Sequence, residues 1–190
     1  EVLAALQHFI APTDHHEANP LPDDATRQEK DLSHNANSIV TVLRFGDFDF
    51  FNGADLTWNL EEQLVVPFNL VGEVDVYQTD HHGLDRSNNS VLVKSLQPRV
   101  AIMNNGHTKG CGPQTFATLT STPSIEAIYQ VHRNLREDGD TNNTAANRIA
   151  NLTDKENCTA HPILLEVASD GASYTVTVPS TDHSETFSAK

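Results

Sequence analysis

Apolar and polar positions fall into regular patterns from Ser38 onward, and the patterns change period along the chain. SIVTVLRF alternates around β-branched residues, Gly46-Asp47 is a turn signal and FDFFNGA follows, which predicts two strands joined as a hairpin. In WNLEEQLVV, Leu60, Leu64 and Val65 recur at helical spacing. Glu61 and Glu62 stand early, where carboxylates suit a helix N-terminus, and Pro67 stops the run. VDVYQT reads as a buried strand, SNNSVLVKSL as a helix opened by a Ser or Asn cap, and RVAIMNN as another strand. GPQTFATLTSTP is predicted helical, whereas SIEAIYQVH fits strand or helix equally. HPILLEVA and ASYTVTVP flank Ser169-Asp170-Gly171 and predict a second, C-terminal β-hairpin.

Two segments lack periodicity. Residues 11 to 37 hold three prolines with many acids and amides and cannot bury a face of their own, so residues 1–37 are expected to form a loop-rich arm ahead of one domain over 38–190. The polar stretch 134 to 157 is expected to be a loop over the site. Strands alternating with helices in the middle, with antiparallel pairs at both ends, predict an α/β fold in which helices cover a sheet. In such sheets ligands collect at the carboxyl ends of strands, and Asp55, His81, His82 and the run Asn104 to His107 are placed there.

Composition narrows the function classes. Asp and Glu number 26 against 12 Lys and Arg, for a net charge of −14, which repels a long polyanion and disfavours nucleic acid as a partner. No apolar run approaches the roughly 20 residues that a membrane helix needs, and the opening residues carry no basic signal-peptide region. Cys111 and Cys158 lie in no C-x-x-C or Cys/His zinc spacing; as thiols or as a disulfide staple they suit an exported or a cytoplasmic protein alike.

Asp55 at the end of one strand and His81-His82 at the end of the next can converge on one point, and a carboxylate with imidazole nitrogens is a ligand set for zinc and other divalent metals. The plainer alternative makes Asp55 a helix N-cap before LTWNLEE and the histidines a polar turn. Ser87 and Asn88 are candidates for donating hydrogen bonds to an anionic substrate, or for capping the helix that follows. Lys109, a rare base in a Gly-flanked loop, could meet a phosphate or carboxylate, and His107 and His132 could flank the site.

The ordered set NANSIVTVLRFGDFDFFNGADLTWNLEEQL, VDVYQTDHHGLDRSNNSVLVKSLQPRVAIMNNG, NGHTKG, IYQVH and SDGASYTVTV resembles the later half of a metallo-β-lactamase-fold hydrolase. The branch it resembles includes the hydrolase domain of the bacterial DNA-uptake channel protein. The resemblance implies the C-terminal half of an αββα sandwich and a metal-dependent hydrolase that uses a metal-bound hydroxide on an ester-like bond, including phosphodiesters. It implies Asp55 as the carboxylate bridging two zinc ions, or manganese in their place, and His81 or His82 as the last histidine ligand, His81 being favoured because it directly follows the strand, with its neighbour orienting a small-molecule or phosphoester substrate. The fold hosts lactonases, thioesterases and nucleases alike, so the substrate does not follow from it.

Two departures qualify the resemblance. An alanine stands directly before Asp55, where that family often has glycine. The H-x-H-x-D-H cluster that supplies most of the family's ligands is absent, and Asp14-His15-His16 lies in the proline-rich arm. Because the chain opens at Glu1 rather than methionine, the expectation is the C-terminal half of a longer enzyme. The rival expectation is a noncatalytic binding module with a degenerate metal site.

Overall fold

The computed structural model describes residues 1–21, 27–137, 139, 141–153 and 155–190. Strands β1 (Val2–Ala5), β2 (His8–Phe9), β3 (Val40–Phe45) and β4 (Phe48–Asn52) precede helix α1 (Trp58–Glu61). Then follow β5 (Val76–Gln78), α2 (Ser90–Leu96), β6 (Val100–Met103), α3 (Pro113–Ser121), β7 (Ala127–His132) and β8 (Ile149–Asn151). The chain ends in β9 (Leu164–Val167), β10 (Ser173–Val178) and β11 (His183–Ser188).

The first eight strands form one mixed sheet in the order β2-β1-β3-β4-β5-β6-β7-β8, and the last three form a small antiparallel sheet. The fold is mixed α/β. Pairing is antiparallel from β2 to β4 and parallel from β4 to β8. The carboxyl ends of β4 through β8 therefore share one edge, and the loops leaving them are neighbours although far apart in sequence.

Side-chain alternation explains the layers. Val42, Phe51, Tyr77, Ala101, Met103 and Ile128 point to one face, where Leu64 and the apolar residues of α2 and α3 bury them. Phe48, Val76, Val100, Ile102, Ala127 and Tyr129 point to the other, against Tyr174, Val176, Val178 and Phe187 of the small sheet. Both faces are covered, so these strands read as nearly continuous apolar runs. SIEAIYQVH, which fitted either structure, is a central parallel strand for that reason.

Other differences from expectation lie at the edges. The first residues of the expected arm are not loop: β1 pairs with both β2 and β3. Most of residues 11 to 37 lacks strand or helix, apart from a bridge between Ala18 and Phe68 and a short 3-10 turn at His34–Asn37; residues 22–26 of the arm lie outside those described. The arm lies against the helical layer, where the Asn19 side-chain amide donates to the Val65 carbonyl at 2.8 Å and to Ser95 Oγ at 2.7 Å. The polar 134 to 157 segment contributes β8, and the C-terminal hairpin gains a third strand, β11.

Candidate functional site

Between β5 and α2 the backbone makes an arch. His81 and His82 both take left-handed conformations, at φ 50° and 60°, which cost roughly 1–2 kcal/mol each for residues with a Cβ. Hydrogen bonds fix them there: His81 N donates to the Ala54 carbonyl at 2.8 Å and Leu84 N to the His81 carbonyl at 3.1 Å. The loop after β6 clamps the arch from the other side, with Cys111 N donating to the His82 carbonyl and Gly112 N to the Gly83 carbonyl. Gly110 sits at the clamp with φ 85°, and a Cβ there would lie 1.9 Å from the His82 carbonyl oxygen. Gly53 is constrained in another way: a Cβ would fall within 2.4–2.7 Å of the Asp80 carboxyl.

The arch brings Asp55 and His82 together. Asp55 Oδ1 lies 3.9 Å from His82 Nε2, with both side chains a little over a third exposed. His82 Nδ1 is 2.9 Å from the Asn104 carbonyl oxygen. A carbonyl only accepts, so Nδ1 carries the hydrogen and the Nε2 lone pair is left facing Asp55. His81 is buried behind them. Ser87 Oγ donates to the Leu56 carbonyl at 2.6 Å and is therefore placed to accept from His81 Nδ1 at 3.4 Å, while the Asn35 side-chain amide donates to His81 Nε2 at 3.3 Å. Both imidazoles thus carry their lone pair on Nε2, with Nδ1 held by a polar neighbour, the arrangement common to metal-binding histidines.

Burial lowers the His81 pKa; the Asp55 carboxylate opposes the shift, and Lys109, Arg86 and His82 reinforce it. A neutral ring is the form that ligates a metal. Asp55 is not the helix cap of the plainer alternative, because the N-cap of α1 is Thr57. The Asp55 backbone N–H is held by Ser38 Oγ at 3.2 Å. Asn35 and Ser38 come from the loop before β3, so part of the site's support is remote in sequence from the histidines.

Ser87 and Asn88 are brought beneath the arch rather than to its surface. Both are fully buried, and the Asn88 side chain accepts from Tyr77 Oη at 2.9 Å and donates to the Asp80 and Leu84 carbonyls at 3.1 Å each. The capping task falls to Asn89, whose Oδ1 accepts from Val91 N at 2.9 Å. Lys109 is exposed at the rim. Asp14, His15 and His16 form a turn elsewhere, the first two exposed and His16 half-buried: His15 and His16 border a cleft of about 600 Å³ with Arg44, Asp49 and Glu73, at the amino ends of β4 and β5. A second cleft, about 470 Å³, adjoins the arch through Arg86 and Trp58, with Lys30 and Asp31 in its lining.

Compared with known proteins, the chain matches no family model and no curated protein.

A further cluster stands along the same edge. His107, His132 and Cys158 follow β6, end β7 and follow β8, and one ligand atom from each lies within 4.8 Å of the others. Cys158 and Cys111 are thiols and not a disulfide; Cys111 is buried, its Sγ donating to the Asn142 carbonyl. Sequence spacing concealed the cluster because its members are 25 and 26 residues apart, and only the parallel order of the three strands stacks their loops. Partial burial lowers the His132 pKa, with the neighbouring His107 adding to the shift.

Proposed function

We propose that this chain carries part of the site of a metal-dependent hydrolase of the metallo-β-lactamase type, acting on an ester-like bond in a small molecule or phosphoester. The observation that carries the reading is the 3.9 Å approach of Asp55 Oδ1 to His82 Nε2. In a tetrahedral site two donors bound at about 2.0–2.2 Å stand roughly 3.4 Å apart, so a small side-chain rotation would bring this pair onto one divalent metal. Asp55 and His82 would hold it, with His81 buried beside them and engaged by Asn35 and Ser87. When bound, zinc or manganese lowers the pKa of water and polarises the ester oxygen.

The protein's own residues supply orientation. The Asn104 carbonyl and Ser87 fix the ring tautomers, and the clamp at Gly110 fixes the backbone from which the rings project. Lys109 and Arg86 place positive charge close enough to His81 to act on it, in a chain otherwise strongly acidic, and that charge suits an anionic substrate. The cleft lined by Lys30, Trp58 and Arg86 is in the size range of small-molecule sites, roughly 300–1,000 Å³. A net charge of −14 favours a small phosphoester or lactone over a polynucleotide.

The test is hydrolysis of a chromogenic phosphodiester and a chromogenic lactone with added zinc or manganese. Metal-dependent turnover that Asp55→Asn and His82→Gln each reduce by at least about 100-fold supports the reading. Turnover indifferent to Asp55→Asn, or a folded protein in which added zinc or manganese perturbs neither Asp55 nor His82, overturns it and favours a noncatalytic binding module.

A further inference from the structure

We propose that His107, His132 and Cys158 form a second metal site, separate from the Asp55 arch, whose thiolate and imidazole donors select zinc. The proposal does not depend on the hydrolase reading, since the two sites share no residue.

The donor atoms already stand near a zinc spacing. Zn–S and Zn–N bonds of about 2.3 and 2.0–2.1 Å in a tetrahedron place sulfur and nitrogen roughly 3.5 Å apart. Cys158 Sγ and His132 Nδ1 are 3.9 Å apart, and the whole set lies within 4.8 Å, so small side-chain rotations close it on an ion. The two rings are 4.2 Å apart at their centroids. His107 Nε2 lies 3.1 Å from the Thr153 carbonyl oxygen; the carbonyl accepts, so Nε2 carries the hydrogen and Nδ1 keeps the lone pair.

The three loops are held in place by groups other than the ligands. Buried Asn105 donates to the His132 carbonyl at 2.7 Å and accepts from His132 N at 3.3 Å. Leu135 N donates to the His107 carbonyl at 2.7 Å. Buried Asn151 donates to the Val131 and His161 carbonyls at 2.8 and 2.9 Å and accepts from His161 N at 2.7 Å, which ties the Cys158 loop to β7. Ala160 N donates to Cys158 Sγ at 3.4 Å, which orients the sulfur. Binding releases the thiol proton to solvent, and three protein donors leave the fourth tetrahedral position to water. Soft sulfur with imidazole suits zinc and disfavours magnesium or calcium.

Cobalt(II) titration of the metal-stripped protein tests this. The expected result is one equivalent that gives a thiolate-to-cobalt charge-transfer band in the near ultraviolet and is displaced by zinc. Cys158→Ser should abolish the band, and His107→Asn or His132→Asn should weaken zinc binding by about tenfold or more. Asp55→Asn should leave the band unchanged. No band in the wild type, a band that survives Cys158→Ser, or zinc affinity unchanged in both histidine variants overturns the proposal. A measurement that needs no variant is alkylation of Cys158, located by peptide mass: zinc should slow it, and an unchanged rate counts against the site.

Discussion

The carboxyl groups of Glu61 and Asp80 are electrostatic neighbours, both buried beneath the histidine arch. Burial raises the Glu61 pKa, opposed by the backbone N–H groups that Glu61 accepts from Asn88 at 2.8 Å and Asn89 at 2.7 Å. Asp80 Oδ1 accepts Gly53 N at 3.1 Å, and among the described residues Oδ2 has no hydrogen-bond partner. Burial first, then the Glu61 charge, pushes the Asp80 carboxyl well above the usual range.

That pair predicts a pH dependence. Asp80 has a folded pKa raised above its ordinary 3.8, so its contribution is complete below that value and is lost as pH rises through the folded pKa. Urea midpoints from about pH 5 to 8 should therefore fall for this pair as pH rises. Asp80→Asn removes the titrating carboxyl while keeping an acceptor for Gly53 N, and it should flatten the slope. An unchanged slope in the variant would show that the pair does not titrate in this way.

Gly110→Ala should strain the clamp on the arch. The new Cβ would need both a left-handed backbone and the space occupied by the His82 carbonyl. A loss of roughly 1–3 kcal/mol in chemical denaturation is expected, as for overpacked cores. A variant as stable as wild type would mean that the loop after β6 moves away freely.

Asn89→Ala removes the side-chain cap of α2 and a bond to the Trp58 carbonyl at 3.2 Å. The expected cost is about 1–2 kcal/mol, and Asn89→Ser should recover part of it. Equal losses for the two substitutions would argue that the cap contributes nothing.

At the arch, Asp55 and the histidines fall short of the three or four protein ligands typical of a tight zinc site if only two of them engage at once. Zinc there should be lost on desalting, while any zinc that stays should depend on Cys158. Retention of zinc in a Cys158→Ser variant, lost on adding Asp55→Asn, would reverse that order.

Much of the fold could be read from residue order. The β3–β4 hairpin, the parallel strands and α2 with its Asn cap follow from local period and cap chemistry; adjacent strand tips bring a histidine to Asp55, but the ring that faces it is His82 and not the expected His81, which the left-handed arch turns toward Asn35 and Ser87. What escaped is what depends on tertiary neighbours. His8–Phe9 and Ile149–Asn151 are strands only because an existing edge pairs with them, and both are too short to show alternation. Ser87 and Asn88 looked like surface donors because polarity alone does not reveal that the Asp80 and Leu56 carbonyls need buried partners. Cys158 reaches His132 through β8, a strand inside a segment whose composition reads as loop.

The small C-terminal sheet roofs a row of side chains on the large one. A polypeptide cut off near residue 160 would leave Phe48, Val76, Val100 and Tyr129 without Tyr174, Val176 and Phe187 above them. The rim bearing Asp55 and His82 would still be encoded in full, yet the bared slab would be sticky, and self-association would set in before any question of chemistry could be asked.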